Sequence, residues 1–438
     1  MTRSAGQRRG AAILSLVAGA AGVVLAVISA AAQFPVGLIA LVLLLIAAGL
    51  AIDGLFNIGT RRLAELIVAV ILAVIAIVVV VMRSWWLLVG TLVVIALFAI
   101  AIAAAARAFR ISVPLPVVAP PTNPVLIYNR RSGDGKADRL HLADEAERRG
   151  YRTVELVKGD DLRALAEGAV ADGADGLAMA GGDGSQAVVA DVAASHDLPY
   201  ACIPSGTRNH FALDLGVDRD DAVGALDSFV EGGERRVDLG VVNGQVFVNN
   251  VSLGVYGEAV QRESYRNAKA KTLLDVASQV LGPNSDQPSV SWHDPHGTAH
   301  ESVAAIMVSN NQYRLGHIIG SGTRPSIEDG LLGVAVIADP ASRPGSERLQ
   351  HLWSEWVAPT FEIDSDTDLN AGIDGEAATL TAPVRFEIRH RVLRARIARQ
   401  HPGASPSADV PDGAVDSVRA LCRIALGKPV HIRPISVS

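Results

Sequence analysis

Four uninterrupted apolar runs fill the first 110 residues: Ala11 to Ala32, Val36 to Ile52, Leu63 to Met82 and Trp85 to Ala106. Each approaches the roughly 20 residues that a helix needs to cross a bilayer core. None carries a charge at its centre, and Glu65 lies at an edge. A signal peptide would account for the first run but not for four in series. The pattern predicts four transmembrane helices over residues 1–110. Arg3, Arg8 and Arg9 precede the first run, Arg61 and Arg62 the third, and Arg107 and Arg110 follow the fourth. The Gln33-Phe34-Pro35 connection has no charge, and Arg83 stands alone between the third and fourth runs. Positive flanks mark the cytoplasmic side, so both ends should face the cytoplasm. Trp85 and Trp86 suit an aromatic anchor on the opposite side. The expectation is a multi-pass protein of the cell (plasma) membrane with a cytoplasmic domain.

The rest of the chain differs in kind. Half of all residues are hydrophobic and the mean hydropathy is +0.30, but the excess sits in those runs. Up to Arg110 there are eight basic residues and two acids, Asp53 and Glu65, whereas the whole chain carries −6. The soluble part is therefore strongly acidic, which disfavours nucleic acid as its partner. Two cysteines, Cys202 and Cys422, argue against a disulfide framework and for a reducing compartment. Residues 111–123 hold Pro114, Pro116, Pro120 and Pro121, the composition of a semi-rigid linker.

From residue 124 to 238 short apolar runs alternate with helical patterns. Strands are predicted at Val125–Tyr128, Thr153–Val157, Gly176–Ala180 and Tyr200–Ile203. Helices are predicted at Ala137–Arg149, Leu162–Val170 and Ser185–Ser195. That alternation points to a doubly wound α/β domain on a parallel sheet, which binds ligands at the carboxyl ends of its strands. Three loops fall on that edge: Asn129 to Lys136, Met179 to Gln186, and Pro204 to Phe211. In the second, Gly181, Gly182 and Gly184 remove Cβ atoms where backbone must turn or approach a ligand closely. Bare N–H groups ahead of a helix N-terminus form a cradle for phosphate. Asp183 is the only charge within it.

After residue 238 the pattern becomes β-rich. Strands are predicted at Val241-Val242, Val246–Val248, Val303–Val308, Gly330–Ile337 and Arg385–Ile388, with a hairpin at Asn243-Gly244 and an inserted helical segment at Gln261–Val280. An antiparallel sandwich-like or barrel-like domain over 239–400 follows. Two acid-glycine clusters stand out, Ser326 to Leu332 and Ile373 to Glu376. Each reads as turn chemistry; beside a phosphate cradle they also offer one acid for a metal ion and one to take a hydroxyl proton. His293, His296 and His300 near Asp294 read as a solvated loop. Arg389, Arg391, Arg394, Arg396 and Arg399 form a basic run that suits either an anionic lipid surface or a plain charged face. Residues 401–413 read as a flexible linker. In the amphipathic segment Ala414–Leu426, Ala414, Val418, Leu421 and Ala425 recur at helical spacing.

Taken in order, Gly181-Gly182-Asp183-Gly184-Ser185, Ile203 to Ala212, Asp238-Leu239-Gly240, Pro325 to Leu332 and Asp374-Gly375-Glu376 resemble the motifs of the diacylglycerol kinase catalytic-domain family, which includes bacterial lipid kinases and sphingosine kinases. The likeness covers about Val125 to Ile397; the glycine loop alone is shared with NAD kinases and phosphofructokinases. The resemblance implies an ATP-dependent kinase that phosphorylates a lipid in the membrane, diacylglycerol or a relative, with ATP and Mg2+ as cofactors. It places ATP at Gly181, Gly182, Asp183, Gly184, Ser185, Gln186, Ala187 and Val188, at Gly206, Thr207 and Asn209, and at Glu155 on the second strand. It places magnesium at Asp329 with the carbonyls of Ser326 and Leu331, and a proton acceptor at Glu376, with Asp183 as the other candidate base. The chain departs from the pattern at Ser185 (usually Thr), Arg130 (usually Pro), and Arg208 and His210 (usually a small residue and Asp). Rival readings are a kinase for a soluble acceptor such as NAD and a non-catalytic nucleotide-binding membrane protein. A homo-oligomer is compatible with any of them.

Overall fold

The computed structural model describes residues 5–35, 39, 42–50, 59–83, 85–254, 290–301, 303, 305–315, 319–337, 353–428 and 430. Its N-terminal helices are α1 (Ala5–Gln33), α2 (Gly59–Arg83) and α3 (Trp85–Phe109). Two stretches, Ala5–Ser29 and Val89–Phe109, are long and apolar enough to cross a membrane, and only 22% and 17% of them is buried inside the protein. A soluble core helix would be mostly covered. In α2 the apolar stretch is shorter, Ala64–Ala76. Of the second predicted run, residues 39 and 42–50 are helical and the rest lies outside the described residues. Helices α1 and α3 pack through small residues: Gly19 faces Ala101, Gly22 faces Phe98, and Ser15 Oγ donates to Ala101 O at 2.8 Å. Small faces with an interhelical hydroxyl bond suit association in lipid.

The α/β unit contains β1 (Pro124–Tyr128), α4 (Ser132–Arg139), α5 (Leu142–Glu147), β2 (Arg152–Glu155), α6 (Leu162–Ala171), β3 (Gly176–Gly181), α7 (Asp183–Ser195), β4 (Pro199–Pro204), α8 (His210–Leu215), α9 (Ala222–Ala225) and α10 (Ser228–Glu231). Strands β3 and β4 are buried along their whole length, as their continuous apolar sequence demands of a sheet covered on both faces. The helix expected over Ala137–Arg149 breaks at His141, whose φ is 49°. On one straight helix Ala137 and Leu142 would point about 140° apart; the break lets both enter the core.

The β-rich unit contains β5 (Gly233–Val242), β6 (Gln245–Phe247), β7 (Asn250–Gly254), β8 (Val290–His293), β9 (Ala299–Glu301), β10 (Ala305–Asn310), β11 (Leu332–Ile337), β12 (Trp353–Ala358), β13 (Thr360–Ser365), β14 (Leu369–Ile373), β15 (Glu376–Leu380) and β16 (Val384–Ile397). The predicted Asn243-Gly244 hairpin is present, with φ of 46° and 83° closing Val242 on Gln245. The insert predicted at Gln261–Val280 lies outside the described residues.

The two units are not separated as the sequence suggested. One ten-stranded sheet runs β2-β1-β3-β4-β16-β13-β8-β9, with β5 on β16 and β6 on β5. It is parallel from β2 to β4 and stays parallel where β16 joins β4, then turns antiparallel at β5 and β13. The doubly wound parallel sheet is therefore one half of a mixed sheet, and the expected boundary at Asp238 falls inside β5. A second sheet runs β12-β11-β10-β7-β14-β15 and packs its apolar side chains with those of β8, β13 and β16.

Of the two readings of the basic run, the structure supports the plain charged face: four of its five arginines lie on β16 and pair locally, Arg389 with Asp191 at 2.7 Å, Arg391 with Glu328 at 3.3 Å, and Arg394 and Arg396 with Glu234 at 2.9 and 2.7 Å, while Arg399 lies beyond the strand. Residues 401–413, expected as a flexible linker, form a packed strap. His401, Ala404, Ser405, Ser407 and Val410 are buried. Thr323 Oγ1 donates to Ser407 Oγ at 2.7 Å, and Arg314 Nη1 to Val410 O at 3.0 Å. Polar composition misled because backbone and hydroxyl bonds, not apolar area, hold this segment. The strap leads to α11 (Ala414–Ala425), which buries Ala420, Leu421 and Ile424 against α1 and α3. Of the four residues expected on its docking face, Leu421 is buried and Ala425 packs beside it, whereas Ala414 and Val418 are exposed.

Candidate active site

Three loops at the carboxyl edge of the parallel strands close on one another with almost no space for side chains. A Cβ on Gly206 would stand 2.6 Å from Gly182 Cα. Gly133, at a φ of 56°, lies against Ser205 O. Asn209, at a φ of 52°, donates from Nδ2 to Gly206 O at 2.8 Å and accepts Gly206 N at 2.9 Å. Lys136 Nζ reaches over to Pro204 O and Arg219 O, each at 2.9 Å. Burial pushes the Lys136 ammonium below its usual range.

Asp183 opens α7 and its carboxylate crosses to the next loop. It accepts His210 N at 3.0 Å and Phe211 N at 3.2 Å, capping α8 from outside its own segment. The side chain of Gln186 is buried; Nε2 donates to Met179 O, Gly181 O and Ile203 O, while Tyr200 Oη donates to Gln186 Oε1. It ties the ends of β3 and β4 and offers a ligand no free amide. Ala187 lies in the core, Val188 and Ser185 are half-buried, and Thr207 is exposed. Glu155 ends β2, with Arg130 Nε 3.8 Å from its carboxylate and Tyr128 Oη at 3.5 Å.

Glu376 comes to this site from 192 residues beyond Gly184. Its Oε1 lies 2.5 Å from where a Gly184 Cβ would stand, so a side chain at 184 would push that carboxylate aside. Asp374, at a φ of 49°, takes Val248 N at 2.9 Å, Asn249 N at 2.8 Å and Asn250 N at 3.2 Å on its carboxylate. Burial pushes that carboxyl up to about 7, with the Val248 and Asn249 amides and Arg324 opposing and Asp183 adding to the rise.

The Ser326–Leu331 loop is held elsewhere. Asp329 N donates to Asn311 Oδ1 at 3.0 Å, and Ser326 Oγ to Asp329 Oδ1 at 2.7 Å. Buried Asp238 fixes the loop to β16: it accepts Gly330 N at 2.7 Å, Asn311 Nδ2 at 3.1 Å, Arg391 N at 2.7 Å and His390 Nδ1 at 3.0 Å. A carboxylate can only accept, so His390 carries its proton on Nδ1. Among the described residues no three His, Cys, Asp or Glu side chains cluster as a metal site. One carboxylate with backbone carbonyls still matches the oxygen donors that a hard cation takes alongside water. The His293–His300 segment is a solvated hairpin: Asp294 takes His296 N and Thr298 N, each at 2.9 Å, and His300 stacks on Trp292.

The residue that joins both units was not foreseen. Arg324 is wholly buried. Its Nε pairs with Asp214 at 2.8 Å, and its Nη1 donates to Val248 O at 2.6 Å and Asn310 O at 2.7 Å. Burial opposes its charge, yet Tyr313 and Asp214 beside it raise its pKa. Asp238 and Asp374 stood in quoted motifs without a role; Arg324 had no local signal, because its partners lie 14 to 110 residues away.

The unusual His210 lies at the start of α8. Burial lowers its pKa; Asp183 and Asp214 oppose that, and Arg208 and Arg219 add to it. A histidine kept neutral in the fold binds fewer protons than when unfolded. Stability is then complete above the ordinary value of 6.5 and is lost as pH falls below it. The drop in unfolding midpoint from pH 7.5 to about 5.5 should be larger in wild type than in His210→Gln, because the variant lacks this proton linkage. Thermal unfolding of both proteins at the two pH values checks this; equal drops would count against it.

Ser205 Oγ is buried without a hydrogen-bond partner. An orphan hydroxyl beside glycines whose Cβ atoms would block approach fits an anionic ligand carrying oxygen acceptors. The diacylglycerol kinase catalytic domain family matches residues 123–242. A protein named "Probable lipid kinase YegS-like" from Pseudomonas aeruginosa is 26% identical over 303 residues, covering 64% of this chain and 95% of its own. A diacylglycerol kinase of Bacillus subtilis is 38% identical over 173 residues, covering 38% of this chain and 55% of its own. A solved diacylglycerol kinase from Bacillus anthracis aligns over 63% of this chain and 97% of its own, at 19% identity and a TM-score of 0.46. Residues 123–242 are thus similar to the diacylglycerol kinase catalytic domain, and a relative matched along nearly its whole length is named a probable lipid kinase, which supports an ATP-dependent kinase.

Proposed function

We propose that this protein, anchored to the membrane by its N-terminal helices, transfers the γ-phosphoryl group of ATP to the hydroxyl of a membrane lipid of the diacylglycerol class. The observation that carries the reading is the meeting of Glu376 with Gly184 at the phosphate cradle. A carboxylate there can take the proton of the attacking hydroxyl. The lipid oxygen bonds to the γ-phosphorus, the bond to the ADP oxygen breaks, and the proton goes to Glu376. The backbone of Gly181 to Ser185 and of Gly206 to Asn209 holds the phosphates, with Glu155 near the nucleotide. Asp183 holds the two loops together through His210 N and Phe211 N, which leaves Glu376 the better base. Magnesium, when bound, supplies charge neutralisation; Asp329 with the Ser326 and Leu331 carbonyls would hold it.

Membrane anchoring, with the catalytic unit on the cytoplasmic side, is part of this reading. Its support is the apolar length of α1 and α3 and the arginines that flank them. Tethering next to an insoluble acceptor raises its effective concentration. The test is transfer of label from γ-labelled ATP by the full chain in mixed micelles with magnesium, across a panel of lipid alcohols. Label is expected in a lipid product, greatest with diacylglycerol. Nucleotide binding without transfer to any lipid would overturn the proposal.

A further inference from the structure

Helix α11 has two apolar faces and covers only one of them. Ala420, Leu421 and Ile424 pack with Ala12 of α1 and with Ala105, Ala108 and Phe109 of α3. On the other side Val415, Val418 and Leu426 are 63%, 53% and 67% exposed, and Cys422 is exposed between them. At 3.6 residues per turn these four side chains fall within about 80° of one another. Arg419 and Arg423 project beside this stripe. Among the described residues beyond 110, no other helix or strand exposes more than one large apolar side chain.

The level at which α11 lies is fixed by its bonds. Arg9 Nε donates to Ala425 O at 2.7 Å. Arg8 donates to Asp409, just ahead of the helix, at 2.8 Å, and to Ala108 O at 2.9 Å. The helix is therefore level with the arginine-bearing ends of α1 and α3. The first exposed apolar residues of α1 are Ile13 and Leu14, about 6 Å along the axis from Arg9. The uncovered stripe therefore belongs to a helix held at the ends of α1 and α3 where their exposed apolar surface begins. Arg9 at its end and Arg419, Arg423 and Lys428 on and just beyond the helix outnumber Asp416, which pairs with Arg419, and suit an anionic headgroup layer. An amphipathic helix in that layer buries its apolar face about 5–10 Å deep.

We propose that α11 is an interfacial helix lying in the headgroup layer of a membrane containing anionic lipid, with Val415, Val418, Cys422 and Leu426 against the acyl chains. The inference rests on the reading that α1 and α3 cross the membrane. It adds a second attachment, through which the strap fixes the orientation of the catalytic unit: Ser405 Oγ donates to Asp214 at 3.3 Å, and Gly403 N to Gly216 O at 3.0 Å, both at the α8 that follows the phosphate loop.

Cys422 is the exposed cysteine and Cys202 is buried, so the native chain takes one environment-sensitive fluorophore at the place of interest. Full-length protein labelled there would be reconstituted in phosphatidylcholine vesicles with or without phosphatidylglycerol. Quenching would be compared between aqueous iodide and lipids spin-labelled at shallow or deep acyl positions. A reference label would sit at Val24→Cys in a Cys422→Ser background. The Cys422 probe should be quenched by the shallow lipid label and protected from iodide, more completely when phosphatidylglycerol is present. Iodide quenching at Cys422 with deep-lipid quenching at Val24 would overturn the interfacial helix and leave the spanning reading intact. Iodide quenching at both sites would sink the spanning reading itself. Protection from iodide and lipid alike would mean that protein, such as a second copy, covers the stripe, and would also overturn the proposal.

Discussion

Glu376→Gln should lower the rate of phosphoryl transfer about 100- to 10,000-fold, the range that a positioned general base contributes. Nucleotide affinity and thermal stability should hardly change, because Glu376 stands at the exposed start of β15. Initial rates with labelled ATP in micelles measure the first effect, and ATP titration and unfolding measure the controls. A loss smaller than about tenfold would remove Glu376 as the base. Asp183→Asn gives the contrast. Its carboxylate accepts two backbone amides, so this change should appear in ATP affinity and loop stability and less in the chemical step.

Arg324→Met should destabilise the folded soluble part by about 3–5 kcal/mol, the cost of leaving one partner of a buried ion pair without the other. Asp214 would keep its buried charge with only the Ser405 hydroxyl and the residue-324 amide left to it, and the carbonyls of Val248 and Asn310 would lose their donor. At roughly 2–4 °C per kcal/mol for a domain of this size, the unfolding midpoint falls by about 6–20 °C. The double variant Arg324→Met, Asp214→Leu should recover much of that loss, because it removes the uncompensated charge. Thermal unfolding of wild type and both variants in one detergent decides the matter. A single variant as stable as wild type would show that the pair contributes nothing.

Much of the α/β unit was legible in the chain because its signals are local. Buried apolar strands, punctuating glycines and the Asn243-Gly244 turn each announce themselves within a few residues. The three loops at the carboxyl edge of the strands followed from that alternation. What the chain hid is long-range. Nothing near Arg324 indicates that it reaches Asp214, and nothing near residues 401–413 distinguishes a strap bonded through backbone from a solvated linker. The basic run could be read as a lipid surface or as a plain charged face, because the acids that pair with it on β16 arrive from α7, β5 and the Ser326–Leu332 loop. His210 departs from the pattern of the phosphate loop, yet it is the backbone N–H at that position that Asp183 takes, and any residue but proline supplies one.

Strand β16 carries a consequence for how the enzyme opens. Its far end pairs with β4 and its near end with β13, while β5 runs alongside both stretches and Asp238 pins the bulge between them. Two lobes stitched by a single rigid rod cannot swing apart as jaws do. Admission of a bulky acceptor must fall to the loops at the rim, and rupture of the rod would release both lobes together.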